Sequence, residues 1–453
     1  MKKTPKIAFL SSLALCASLA LAQDITPTRV GPVSQYGQLI TGKNSQGKGR
    51  IYGSCEGVKD GAEVQVRGMS LYWSLLPQAM EFWTEEGIST MVNDMKIQIV
   101  RAAMATKASD NWSGEWNGIQ LKGWEGDKTN QTKFMETVVE AAIKNDIYVI
   151  IDWHSHSAHQ QTESAKTFFK EMAEKYGKYD NVIFEVFNEP EEISWSDVKN
   201  YANQVIPVIR QYSDNLILVG NPKWDQNPSD AIGNEVTDSL NNTAYTLHYY
   251  ANSHNWEGSY EWGESEGLKG EKAMNAGLSV FVSEWGTADN TGGGDPNPSR
   301  NQSWQEYVNK HQLSWANWSA SYISEGTAAF SSGANRNSLQ YTTSGNMVKG
   351  YLATNPASYT KCANGGNNGG ENGGNETPIF VKSDLNYSIT FAGKALHIAG
   401  TPATVEIFSI QGNKLMTIEN VSGTLSLANL PAGKYLARIN RGSSRLTQVF
   451  QIR

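Results

Sequence analysis

Between residues 64 and 318 the chain alternates apolar, strand-like runs with amphipathic helical stretches. Eight such runs stand out, at 64–69, 97–102, 147–153, 182–187, 216–220, 245–249, 280–284 and 314–318. From the third onward they begin roughly every 30–35 residues, the length of one strand–helix unit. Tyr148-Val149-Ile150-Ile151 and Val182-Ile183-Phe184-Glu185-Val186-Phe187 are too apolar for a sheet with one wet face, so these strands must be covered on both sides. The stretches 132–144 and 164–176, with apolar side chains three and four apart, supply such covers. Eight units close into an α/β (β/α)8 TIM barrel. A doubly wound open sheet is the alternative arrangement of the same units.

In a barrel the reactive groups gather at the C-terminal ends of the strands. Polar residues collect there: Arg101, Asp152-Trp153-His154, Asn188-Glu189-Pro190, His248-Tyr249-Tyr250, Glu284-Trp285-Gly286 and Asn317-Trp318-Ser319. Glu189 and Glu284, ending runs four and seven, face each other across the mouth. A lone glutamate at a strand end is as well explained by a salt bridge to a loop, whereas an opposed pair is what glycosidic hydrolysis requires. One carboxyl protonates the leaving oxygen and the other attacks or stabilises the sugar carbon. Asn188 can bond a sugar 2-hydroxyl, and Arg101 and Tyr250 can donate to the carboxylate that must stay ionised. His154 and His248 can bond sugar hydroxyls or serve as structural histidines. All 14 tryptophans lie between Trp73 and Trp318, where indole faces can stack on pyranose rings as well as pack the core.

The ends read differently. Lys2, Lys3 and Lys6 precede an apolar run over 7–21, and Ala20-Leu21-Ala22 offers a signal-peptidase site, so residues 1–22 are expected to be a signal peptide of an exported protein. The run is shorter than the roughly 20 residues of a membrane span, and Leu15 before Cys16 departs from a lipidation motif. Removing the signal leaves Cys55 and Cys362, which are either a disulfide or two free thiols. Residues 23–362 form the expected catalytic domain, and the Gly/Asn-rich stretch 363–377 is a flexible linker. In 378–453 the alternating runs 405–410, 424–427, 434–439 and 446–452 suggest a small β-sandwich. A net charge of −7, with no basic stretch, points away from nucleic acid and from anionic membranes.

Asn188-Glu189-Pro190, His248-Tyr249-Tyr250, Val282-Ser283-Glu284-Trp285-Gly286 and Asp152-Trp153-His154 resemble glycoside hydrolase family 5, in its bacterial endoglucanase branch. The resemblance runs from about residue 30 to 356 and includes Arg67-Gly68-Met69-Ser70. It implies a retaining endo-β-1,4-glucanase, a cellulase, with Glu189 as acid/base and Glu284 as nucleophile. Around them it implies Arg101, His154, Asn188, His248 and Tyr250, with Trp318 stacking beneath the sugar. A polysaccharide substrate, no cofactor, no metal and a monomeric chain are expected. Tyr72, Ala105 and Ile323 depart from the family pattern at sugar-binding positions, which keeps β-mannan and xyloglucan open as substrates. Two rivals lie outside this reading: a metal-dependent barrel hydrolase using His154, His156 and His159, and a non-catalytic glycan-binding protein. In the C-terminal segment, Val405-Glu406-Ile407-Phe408-Ser409-Ile410-Gln411-Gly412 and Leu430-Pro431-Ala432-Gly433-Lys434-Tyr435 resemble sorting domains of the type IX export system. Sorting or surface attachment is therefore expected of it; without a tryptophan, it fits a carbohydrate-binding module less well.

Overall fold

The computed structural model describes residues 24–362, apart from 109–112 and 261–262. Beyond them it describes the segments 379–381, 389–392, 395–409, 414–431, 433–441 and 444–452. The expected signal peptide and linker lie outside the described residues. The chain divides into two compact units between Gly369 and Gly370.

The first unit is a closed parallel barrel. Its strands are β1 (Arg67–Leu71), β2 (Ile99–Ala105), β3 (Tyr148–His154), β4 (Val182–Glu185), β5 (Ile217–Val219), β6 (Thr243–Thr246), β7 (Val280–Gly286) and β8 (Trp315–Ala320). Each pairs in parallel with the next, β8 returns to β1, and Tyr245 and Thr246 of β6 pair with Val280 and Phe281 of β7. That last pairing rules out an open sheet. Among the described residues seven helices of ten or more residues lie between or after the strands: α1 (Glu85–Met95), α2 (Lys128–Lys144), α3 (Thr162–Tyr176), α4 (Trp195–Ile209), α5 (Glu266–Asn275), α6 (Pro298–Lys310) and α7 (Thr343–Leu352). Several start on a side-chain cap, such as Thr84 accepting from Gly87 N–H and Ser194 from Asp197 N–H. The fifth unit departs from the repeat. A short turn, Pro222–Asp225, and a 3₁₀ turn, Pro228–Ala231, replace its helix, because two prolines interrupt the segment.

Strand alternation sorts the barrel into two cores. Val149, Ile151 and Trp153 of β3 pack outward with the helices, while Tyr148 and Ile150 point inward with Ile99, Ile183, Leu218, Ala244 and Phe281. Val33, Leu39, Ile51 and Val64, from the N-terminal segment and its hairpin, join this inner core. Two residues further along each strand the inward positions turn polar: Arg101 after Ile99, Asp152 after Ile150, Glu185 after Ile183 and Ser283 after Phe281. The apolar floor and the charged mouth are thus successive layers of one inner face. Cys55 and Cys362 are bonded, with Cα atoms 5.9 Å apart across 307 residues of chain.

The second unit is an antiparallel, sandwich-like sheet of β9 (Ile379–Val381), β10 (Ile389–Ala392), β11 (Ala395–Ser409), β12 (Lys414–Ser426), β13 (Gly433–Arg441) and β14 (Ser444–Ile452). Long β11 carries β12 on one edge. Its other edge is shared by β10 along the first half and β13 along the second. Alternating Val405 and Ile407, with Ala437 and Ile439 opposite, fill its core.

Candidate active site

Arg101 is the buried centre of the barrel mouth. Its Nε donates to Glu185 Oε2 at 2.7 Å, its Nη1 to Glu284 Oε2 at 2.8 Å and its Nη2 to Asn188 Oδ1 at 2.6 Å, with Asp152 Oδ2 at 2.9 Å from Nη2. Burial works against the guanidinium charge, but Asp152, Glu185 and Glu284 outweigh it and hold the cation firmly protonated. The two innermost carboxyls respond in opposite directions. Burial drives Asp152 well above the usual range despite Arg101, whereas the attraction of Arg101 overcomes burial at Glu185 and pulls it to about 2. Hydrogen bonding supports that division. Both oxygens of Glu185 are bonded, to Arg101 and Ser283, while Oδ1 of Asp152 has no hydrogen-bond partner among the described residues.

A hydrogen-bond chain leads from Glu185 to Glu189. Ser283 Oγ donates to Glu185 Oε1 at 2.6 Å, so it is left to accept from His248 Nε2 at 2.9 Å. With Nε2 protonated, Nδ1 is the ring nitrogen that shares a proton with Glu189 Oε1, 2.9 Å away. His156 Nε2 lies 3.3 Å from the other oxygen of Glu189, and Asp225 Oδ2 lies 3.3 Å from His248 Nε2. Burial opposes the charge of His248, but Asp225 and the nearby carboxylates of Glu185 and Glu189 hold the ring protonated. Burial likewise opposes ionisation of Glu189, and His156 and His248 together hold its carboxyl well below the usual range.

Glu284 is held differently. Tyr250 donates to its Oε1 at 2.7 Å and Arg101 to its Oε2, so both oxygens accept from fixed donors. Glu284 reaches the mouth even though its neighbour Ser283 does too, which strict alternation forbids. The pairing of β7 with β8 shifts register between Val282 and Trp285, and this irregularity re-aims Glu284. Gly286 lets Tyr250 approach, since a Cβ there would stand 2.3 Å from its ring. One oxygen of Glu189, one of Glu284 and a nitrogen of His248 all lie within 4.8 Å of one another.

His154 donates through Nδ1 to Asp152 Oδ2 at 2.7 Å; burial first, then Arg101, pulls the ring down to about 3, so it is neutral. Its ring runs parallel to Trp318, with centroids 5.5 Å apart, and Tyr72 packs on Trp318 at 4.8 Å. These neighbours leave the Trp318 indole only 6% exposed. Tyr72 also donates to Glu325 Oε1 at 3.2 Å, two residues beyond half-buried Ile323. On the Glu189 side a cavity of about 210 Å³ is lined by Trp224, Gln226, His248, Tyr250 and His254.

Arg101, Asn188, Glu189, His248, Tyr250 and Glu284 therefore form one connected cluster, with His154 joined to it through Asp152 and Trp318 beside His154. Sequence reasoning missed Glu185, Asp225 and Trp224, met Ser283 only within a motif and read His156 only as a candidate metal ligand. Glu185 and Ser283 did carry a signal, being polar residues at inward positions of apolar runs. The histidine triplet does not converge. His159 packs on Phe187, and the two sets of ligand-type side chains that cluster among the described residues, Glu185–Asp225–His248 and Glu189–His248–Glu284, hold one histidine each.

The profile of the cellulase family, glycosyl hydrolase family 5, matches residues 58–324. Endoglucanase Z of Dickeya dadantii is 38% identical over 292 residues, 64% of this chain and 62% of that protein. An endoglucanase of Clostridium saccharobutylicum is 34% identical over 313 residues, 67% of this chain and 64% of that protein. The match thus spans somewhat less than two thirds of either relative. Among solved structures, the catalytic domain of Thermobifida fusca endoglucanase Cel5A superposes with a TM-score of 0.60 at 27% identity, covering 72% of this chain and all of that one.

Proposed function

The chain belongs to glycosyl hydrolase family 5, the cellulase family, and on that premise we propose that it is an endo-acting, retaining β-1,4-glucanase with Glu189 as acid/base and Glu284 as nucleophile. The carrying observation is the approach of the two carboxyls. Oxygens within 4.8 Å of each other favour direct attack on the anomeric carbon over the wider gap that an inverting pair keeps for water. Glu284, fixed by Arg101 and Tyr250, bonds to that carbon as the glycosidic C–O bond breaks, and Glu189 passes its proton to the departing oxygen. In the second half Glu189 takes a proton from water, whose oxygen replaces Glu284 on the sugar. His248 Nδ1 keeps the proton within reach of Glu189 between the two halves. Asn188, its Oδ1 tied to Arg101, has a buried Nδ2 without a partner among the described residues, a donor available to a sugar 2-hydroxyl.

The relatives' names, endoglucanase and cellulase, favour β-1,4-glucan over mannan or xyloglucan. Export is supported by the N-terminal apolar run and by a disulfide of the kind that persists in oxidising compartments. The C-terminal unit, without tryptophan, is assigned to sorting or surface attachment.

The test combines product stereochemistry with a substrate panel. Proton NMR of early cello-oligosaccharide products should show the β-anomer first, and reducing-sugar release should be greatest on soluble cellulose derivatives. Glu189→Gln and Glu284→Gln should each lose several orders of magnitude in turnover with binding retained. An initial α-anomer, or full turnover in either variant, would refute the assignment.

A further inference from the structure

Three consecutive non-glycine residues after β5 adopt left-handed backbone conformations: Lys223 (φ 62°), Trp224 (φ 55°) and Asp225 (φ 59°). L-residues adopt such a turn only when surrounding contacts impose it. Here Lys223 N–H donates to Glu191 O at 3.0 Å, Trp224 N–H to Pro190 O at 2.8 Å, and His248 N–H to Asp225 O at 2.9 Å. The turn is thereby tied both to the residues following Glu189 and to the backbone of His248. It sends Trp224 out into the cavity, 37% exposed, and Asp225 inward, fully buried. Gly220 makes room, since a Cβ there would stand 2.9 Å from Asp225 Oδ1 and 2.4 Å from Phe187 O. Asp225 Oδ1 accepts from Asn221 N–H at 2.6 Å, while Oδ2 faces His248 Nε2 at 3.3 Å.

We propose that Asp225 is a positioning residue for catalysis: its carboxylate, set beneath the Nε2–H of His248, strengthens the hold of the His248–Glu189 pair on the proton that Glu189 delivers. This rests on the reading of Glu189 as the acid. His248 is faced by Asp225 from the turn after β5, by Glu185 from β4, by Glu189 and by Glu284 from β7, with Asp152 of β3 acting at longer range. His156, from the loop after β3, meets Glu189 from its other side. Thr246 beside Asp225 is neutral. The Asp225 charge works on the ring against burial, and burial drives the Asp225 carboxyl itself well above the usual range despite the pull of the facing imidazolium. A neutral Asp225 would do nothing for the pair, and the experiment separates the two states.

Asp225→Asn keeps the shape and the Oδ1 acceptor and removes the charge. The full chain and this variant are compared in kcat/KM against pH on cellopentaose and on 2,4-dinitrophenyl β-cellobioside, whose leaving group needs no proton. Losing a nearby anion lowers the proton affinity of the pair, so the basic limb on cellopentaose should move to lower pH by about one unit. The dinitrophenyl substrate should change by less than about threefold. An unmoved limb, or equal losses on both substrates, overturns the proposal. If the variant does not fold, 15N-histidine spectra of the wild-type chain decide: a cationic His248 ring at pH 6 is expected, and a neutral one overturns the assignment. A wild type inert on both substrates would instead sink the glycosidase reading itself.

Discussion

Arg101→Met preserves the length of a fully buried side chain and removes its charge, leaving Asp152, Glu185 and Glu284 without their common cation. Removing one partner of a buried ion pair costs about 3–5 kcal/mol. Asp152 is already driven toward its neutral form by burial, so Glu185 carries much of that cost at neutral pH. The pH dependence then changes sign. In the wild type Glu185 is depressed to about 2, so its contribution is full above the unfolded carboxyl value, about 4.3, and is lost as pH falls toward 2. Without Arg101, burial lifts the same carboxyl above its unfolded value, and the folded variant recovers stability by binding a proton as pH falls. Urea unfolding followed by tryptophan fluorescence isolates this unit, because every tryptophan lies between Trp73 and Trp318. A deficit of about 3–5 kcal/mol is expected at pH 7.5, smaller by at least about 1 kcal/mol at pH 5. A deficit that is negligible at pH 7.5, or that grows on acidification, would refute the assignment of Arg101 as the cation that keeps Glu185 ionised.

Tyr250→Phe removes a 2.7 Å bond to the Glu284 carboxylate. Bonds to charged groups contribute about 1.5–3 kcal/mol, so kcat should fall about 10- to 100-fold with the melting temperature little changed; a loss below twofold would show the bond idle in the reaction. Gly286→Ala places a Cβ where the Tyr250 ring lies and should lose at least as much activity. Because both changes act on one contact, the double variant should be scarcely slower than Gly286→Ala alone, and full additivity would refute the shared mechanism. Cys55→Ser with Cys362→Ser opens a link across 307 residues and should cost about 2–4 kcal/mol in urea unfolding while leaving kcat in place. A change in kcat at unchanged stability would contradict a purely structural role.

Alternation made the barrel readable. Runs such as 147–153 and 182–187 are apolar at both faces, and in runs this short that pattern marks a parallel strand covered on both sides. The cluster was readable to the extent that it obeys alternation: Arg101, and Asn188 and Glu189 just past β4, stand where strand ends converge. What escaped is where the backbone leaves the pattern. Pro222-Lys223-Trp224-Asp225 resembles the first turn of a helix, with proline at its start, and no composition rule distinguishes a right-handed turn from the left-handed one that buries Asp225. The shift in β7 that brings both Ser283 and Glu284 inward is equally silent, since adjacent polar letters do not show which of the two turns inward. The partners of Cys55 and Cys362 could not be known from spacing, since only the folded barrel brings its two ends within 5.9 Å. These departures share a location: each borders the mouth or ties down its frame. They also account for how two glutamates of the same chemistry come to differ. Glu284 is held by Arg101 and Tyr250, neither of which gives up a proton near neutrality, whereas Glu189 faces the exchangeable nitrogen of His248, whose other nitrogen is committed through Ser283 to Glu185 and so back to Arg101. One guanidinium therefore anchors both ends of the asymmetry, fixing the position of one carboxylate and orienting the ring that keeps a proton beside the other.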